Sequence, residues 1–272
     1  MDTRRVSPRL CLTLTAALTL LGVVVRSVCF LCCFDVDPGY FTAGILPTLS
    51  GALYVAAVLL PVVLVLLTSP SAYPGDLVQP HRTIPAVGLG VALVIFTAVS
   101  ALLRFPTRTG DIMIIPTFLG VIASVYYFLS HRRNGTYPDG LSFLGYLPVL
   151  WCIAAVGELY FDPYVTMNSP VKISLQLGLL GFMLIGLAEL RYRVGRPLPR
   201  YAASFWAIGA YMCLTGAIPV LIATGAGILD NLSHLLCAVV LLPAGVYGFC
   251  LLFSHTALSV SPADPQAPDT PA

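Results

Sequence analysis

Residues 45–68, ILPTLSGALYVAAVLLPVVLVLLT, carry no charged side chain and exceed the about 20 apolar residues needed to cross a hydrocarbon core about 30 Å thick. Seven more stretches of this kind lie at 10–34, 84–103, 113–130, 141–161, 172–190, 201–224 and 232–254. Short connectors rich in Pro, Gly, Asp and Arg separate them, as turn chemistry requires. Of the 272 residues, 58% are hydrophobic and 10% charged, against roughly 25% charged in soluble domains. Mean hydropathy is +0.90. The chain therefore reads as an all-α, polytopic transmembrane bundle of about eight helices over residues 1–257, with the lipid bilayer as its first partner. Only the break at Arg104 to Asp111 leaves room for a re-entrant pair instead.

Cations orient the bundle. With an interior N-terminus, the inner connectors hold Arg4, Arg5, Arg9, Arg82, Arg132, Arg133, Arg191, Arg193, Arg196 and Arg200, and the outer ones Arg104, Arg108 and Lys172. Both termini are then expected in the cytoplasm of a cell membrane. The first span resembles a signal peptide but is too long, contains Arg26 and lacks a small-x-small cleavage site, so it reads as a retained anchor. The tail, 258–272, is rich in proline and has no aromatic residue; a segment of that composition buries too little surface to fold alone. A net charge of +2 gives no basis for nucleic-acid binding.

Two half-chains, 1–135 and 136–257, show partial similarity. Helix one leaves through Phe34-Asp35-Val36-Asp37-Pro38-Gly39-Tyr40 and helix five through Tyr160-Phe161-Asp162-Pro163-Tyr164. Helix four ends Val125-Tyr126-Tyr127-Phe128, and helix eight carries Val246-Tyr247-Gly248-Phe249 near its end. An even, four-helix repeat preserves orientation, so two parallel repeats are the expected form of any duplication. Gapped likeness between apolar helices also arises from composition alone.

Ionisable groups inside a bilayer cost about 2.5–3.5 kcal/mol each on insertion scales and mark the places to search for function. Arg26 falls inside helix one. Glu158 and Glu189, the only glutamates, fall in helices five and six. If helices one and five are neighbours, Arg26 and Glu158 meet as an ion pair; otherwise Arg26 climbs toward the interface beside Asp35. Glu189 has Arg193 one turn on, with Arg191 and Arg196 beside it, an arrangement suited to anchoring at the inner interface. After helix five, Asp162-Pro163 stops one helix, and Met167-Asn168-Ser169-Pro170 starts the next with a capping serine and a proline at the first position. Lys172 then occupies a first turn, where the helix dipole disfavours a cation. Either it reaches the outer lipid headgroups or, with Asn168 and Gln176, it attracts an anionic group.

Other signals are weaker. Cys29, Cys32 and Cys33 form a C-x-x-C-C on one helical face, but no second ligand cluster accompanies them, so neither a metal nor another cofactor is expected. His131, His234 and His255 stand singly, and no serine nucleophile elbow or phosphate loop occurs. Tyr126, Tyr127, Tyr137 and Tyr146 fit an inner aromatic belt. Pro61, Pro148, Pro219 and Pro243 fall within spans and bend helices. Gly51, Gly88, Gly90, Gly178 and Gly181 suit close helix contacts.

The run Glu158-Leu-Tyr-Phe-Asp162, Met167-Asn-Ser-Pro170, Lys172, Gln176, Glu189-Leu-Arg191 and Gly195-Arg-Pro-Leu-Pro-Arg200 resembles an uncharacterised group of multispanning bacterial membrane proteins. The resemblance covers mainly residues 157–200, implies a bacterial cytoplasmic membrane and carries no activity with it. Two functions remain open. One is small-solute transport or binding of an anionic or zwitterionic ligand at an outer site of Arg26, Glu158, Asp162, Asn168, Lys172 and Gln176. The other is a non-catalytic subunit or scaffold that packs with a membrane protein partner or with its own copies. An enzyme is disfavoured for want of a nucleophile, paired acids or metal ligands.

Overall fold

A computed structural model describes residues 7–68, 83–104, 114–130, 143–162, 165–166 and 168–258. Eight α-helices carry nearly all of them: α1 (Pro8–Cys32), α2 (Ile45–Leu67), α3 (Thr83–Arg104), α4 (Ile114–Ser130), α5 (Leu147–Phe161, entered through a 3₁₀ turn at Phe143–Tyr146), α6 (Pro170–Arg193), α7 (Pro199–Gly225) and α8 (Leu232–Leu258). Seven of these segments are long and apolar enough to cross a membrane. The exception is α4, whose 17 residues rise only about 25 Å at 1.5 Å per residue. The connectors holding Arg82, Arg108, Arg132 and Arg133, and the tail beyond Leu258, lie outside the described residues.

Local signals set the helix ends. Ser7 caps α1, its hydroxyl accepting the Arg9 N–H at 3.3 Å, with Pro8 next in the chain. Ser169 precedes Pro170 as expected, but its hydroxyl makes no capping bond; its carbonyl accepts the Ile173 N–H at 3.0 Å. Between α6 and α7 the Arg196 N–H reaches the Arg191 carbonyl at 3.0 Å across Gly195, whose φ of 71° a glycine adopts without a Cβ clash. Gly227 (φ 73°) closes α7 in the same way. Pro148 lies in the first turn of α5, where a missing N–H costs nothing, and so does not bend a span interior. Pro61, Pro219 and Pro243 do lie inside their helices.

One element departs from the all-α expectation. Helix α1 stops at Cys32, and the chain folds into a two-stranded antiparallel hairpin, β1 (Phe34–Asp35) and β2 (Tyr40–Phe41), in the register Phe34↔Phe41 and Asp35↔Tyr40. The intervening Val36-Asp37-Pro38-Gly39 is a strong turn sequence. Phe34 and Phe41 then pack on Phe30 of α1 at ring separations of 5.5 and 5.0 Å.

Helices α3, α4, α5, α6 and α8 pack as a closed ring, each against the next, with α8 against α3 completing the circuit. Aromatic side chains fill the ring: Phe96, Trp151, Phe182, Tyr127 and Tyr247 form a chain of ring contacts 5.3–6.1 Å apart. Helix α7, the most buried span, lies against α6 and α8 and carries α1 and α2 on its other side. The interior position of Tyr127, and of the equally buried Tyr126, corrects their assignment to an interfacial belt; Tyr146 is exposed. Helix α1 is held by α2, α7 and α8 and does not pack along α5. The two half-chains also pack differently, since α6 and α7 form the most extensive pair and α2 and α3 have no corresponding interface.

Candidate functional site

Lys172 explains its own position. The residue is 1% exposed, and its ammonium donates to the carbonyls of Tyr160 (3.3 Å), Asp162 (3.0 Å) and Val165 (3.2 Å). These are the last carbonyls of α5 and its connector, the negative end of a helix. Lys172 therefore opposes its own dipole but caps its neighbour's. It does not reach for lipid headgroups, and its three protons all have protein acceptors. An incoming anion would have to compete with those carbonyls.

Asp162 is the C-cap residue of α5. Its buried Oδ2 stands 3.8 Å from Nε2 of His234, which is 2% exposed, in the first turn of α8. That nitrogen makes no hydrogen bond. Asn231 caps the same helix, its Oδ1 accepting the N–H groups of Ser233 (2.9 Å) and His234 (3.3 Å). Glu158 is buried one turn before Asp162 on α5. Asn168 is exposed and Gln176 half-buried.

Arg26 takes a different course from the one expected. Its guanidinium donates to the Ser174 hydroxyl (3.1 Å from Nε), the Ser50 hydroxyl (3.4 Å) and the Pro170 carbonyl (3.4 Å). It forms no ion pair with Glu158, because α1 and α5 are not neighbours. Neutral oxygens from α2 and α6 satisfy it instead, which ties α1 into the bundle. The expected set thus divides: Lys172, Asp162 and Glu158 belong to the α5/α6/α8 corner, and Arg26 to the α1/α2/α6 side.

Above that corner lies a cavity of about 180 Å³ whose polar wall is formed by Asp37 of the hairpin turn, Thr166 and Ser169 before α6, Asp230 and Asn231 before α8, and His234, the rest of the lining being apolar. Asp37 and Asp230 are exposed. Asn231 has its oxygen committed to the α8 cap, so its amide nitrogen remains as a donor. His234 was not legible as a site residue, for it stands alone in its motif. The only sequence signal was its position three residues after a capping Asn, which places it at the same end of the bundle as Asp162.

A second polar cluster lies at the other end. Glu189 and Arg193 pair at 3.4 Å with exposures of 0% and 1%. Tyr192 stacks on Trp206 at 5.6 Å, Trp206 meets the edge of His255 at 5.2 Å, and His255 Nε2 lies 3.1 Å from the Pro199 carbonyl. The expected interfacial anchor thus separates, with Glu189 and Arg193 inside the bundle and Arg191 and Arg196 exposed. The cysteines straddle a boundary as well: Cys29 is buried and Cys32 exposed, so the C-x-x-C-C does not share one environment.

Seven apolar helices of span length define the class: a multi-pass integral membrane protein in contact with a lipid bilayer. The chain matches no family model, and no curated protein or solved structure is significantly similar to it. The resemblance read over residues 157–200 therefore gains no support from these comparisons.

Proposed function

We propose that the protein binds a small zwitterionic solute in the cavity between the hairpin, the α5–α6 connector and the start of α8, as a receptor or as the mouth of an uptake route. The observation that carries this reading is His234, a buried residue of the cavity wall whose Nε2 makes no hydrogen bond and stands 3.8 Å from Asp162 Oδ2. A buried polar atom without a hydrogen bond costs about 1–3 kcal/mol, a cost that a ligand group can offset. The Asn231 amide, beside the His234 ring, suits a carboxylate. The Asp37 and Asp230 carboxylates at the rim suit an ammonium. Arginine placement supports an outward-facing cavity in a cell membrane, with Arg191, Arg196 and Arg200 at the opposite, inner end.

The test is a thermal-stability screen of detergent-purified protein against amino acids, simple anions and nucleosides, comparing wild type with His234→Gln and Asp230→Asn. A solute at 100 times its dissociation constant should stabilise wild type by about 2.7 kcal/mol and leave both variants unshifted. If all three proteins fold and no zwitterion shifts wild type alone, the subunit or scaffold reading replaces this one.

A further inference from the structure

We propose a binding site for an anionic phospholipid in the groove between α6 and α7 at the Gly195 end of the bundle. This proposal is independent of the solute reading, since it rests on other residues at the opposite end.

The groove has a volume of about 300 Å³ and is lined by Ala188, Arg191, Leu198, Tyr201, Ala202 and Phe205. That volume lies at the lower bound of about 300–1,000 Å³ for ligand sites. Its walls follow the helix periodicity: Ala188 and Arg191 are three apart on α6, and Tyr201 and Phe205 four apart on α7, so each pair shares a face along its axis. The two buried alanines leave the depth, while Leu198 and Tyr201 are exposed along the sides. An apolar groove on a membrane-spanning helix pair opens toward lipid and suits part of an acyl chain better than a polar solute.

Charge selects the headgroup. Arg191 stands exposed in the last turn of α6, and Arg196 is exposed in the connector just beyond. The adjacent carboxylate, Glu189, is turned inward to Arg193 at 3.4 Å. No further Asp or Glu occurs until Asp230. Among the described residues no carboxylate lies within ion-pair distance of Arg191. Arg200 is already committed, donating to the Val65 carbonyl at 2.7 Å and to the Leu66 carbonyl at the end of α2. An arginine pairs with phosphate through two parallel N–H donors, and Arg191 lies in the last turn of a span-length helix, the end that meets headgroups when the helix crosses a bilayer. A phosphodiester on Arg191, with a chain running past Tyr201 toward Phe205, therefore fits both the apolar and the charged parts of the groove.

Native mass spectrometry of the full chain, with phosphatidylglycerol or phosphatidylcholine of identical chains added, reads the site directly, and inorganic phosphate serves as the chain-free control. Wild type is expected to retain phosphatidylglycerol about fivefold over phosphatidylcholine. Arg191→Gln should bring that ratio near one, Arg191→Lys should keep part of it, and Leu198→Trp should lower retention of both lipids. Equal retention of the two lipids by wild type, an unchanged ratio in Arg191→Gln, or displacement of the lipid by millimolar phosphate would each overturn the proposal.

Discussion

Lys172 and the carbonyls of Tyr160, Asp162 and Val165 show how one side chain can be conspicuous in sequence while its purpose is hidden there. A cation in a first helical turn is visibly misplaced, but its partners belong to the preceding helix, and only the packing of α5 on α6 brings them together. Lys172→Met should destabilise the protein by about 3 kcal/mol or more, since it removes charge-assisted bonds and leaves buried carbonyls without a donor. Exposed Asn168→Ala should stay within about 0.5 kcal/mol, and chemical unfolding in detergent compares the two. Glu189 and Arg193 behave differently. Removing either alone leaves a buried charge and should cost about 3–5 kcal/mol, whereas replacing both with leucine should cost less than the sum. A double-mutant cycle on the same unfolding signal checks this. The pair was legible from its four-residue spacing, but its burial was not, because nothing in that spacing says which face of α6 turns to α7 and α8.

At the scale of elements, the pair α6 and α7 crosses closest where glycines meet. A Cβ added at Gly209 would stand 2.5 Å from the Gly181 carbonyl oxygen, and one at Gly216 would stand 2.7 Å from that of Ser174. Backbone cannot yield as a side chain can. Gly209→Ala and Gly216→Ala should therefore each cost about 1–3 kcal/mol or more by forcing the helices apart. Gly51→Ala and Gly88→Ala meet nothing within 4 Å and should be neutral or slightly stabilising in the same thermal assay. Sequence spacing ranked Gly51, Gly88, Gly178 and Gly181 alike, because a small residue looks the same whether it faces a helix or a lipid. The hairpin at Phe34–Phe41 was missed for a related reason. Its turn residues were read as a helix exit, and two-residue strands have no periodicity to recognise.

For the whole molecule, the helical segments were legible from length and hydropathy, since water and lipid impose them directly. Their arrangement was not. Helix neighbours are chosen by shape, by Trp151 and Phe182 filling the ring and by Arg26 of α1 reaching Ser174 and Ser50, and apolar sequences do not encode such choices in one dimension. The candidate site followed the same pattern: Asp162 and Lys172 stood out as ionisable residues, while His234 became visible only when α8 was placed beside α5. Arginine placement still makes a global prediction. A reporter fused after Ala272 should be active only in the cytoplasm, and activity outside would contradict it.

The most direct measurement of solute binding is protection of a cysteine within the cavity, using Thr166→Cys in a chain carrying Cys32→Ser and Cys33→Ser. The account predicts that a membrane-impermeant maleimide labels this position in intact cells, and that the zwitterion which stabilises wild type slows the labelling, with no slowing when His234→Gln is added. Labelling only after permeabilisation, or a rate that no solute changes, would contradict it.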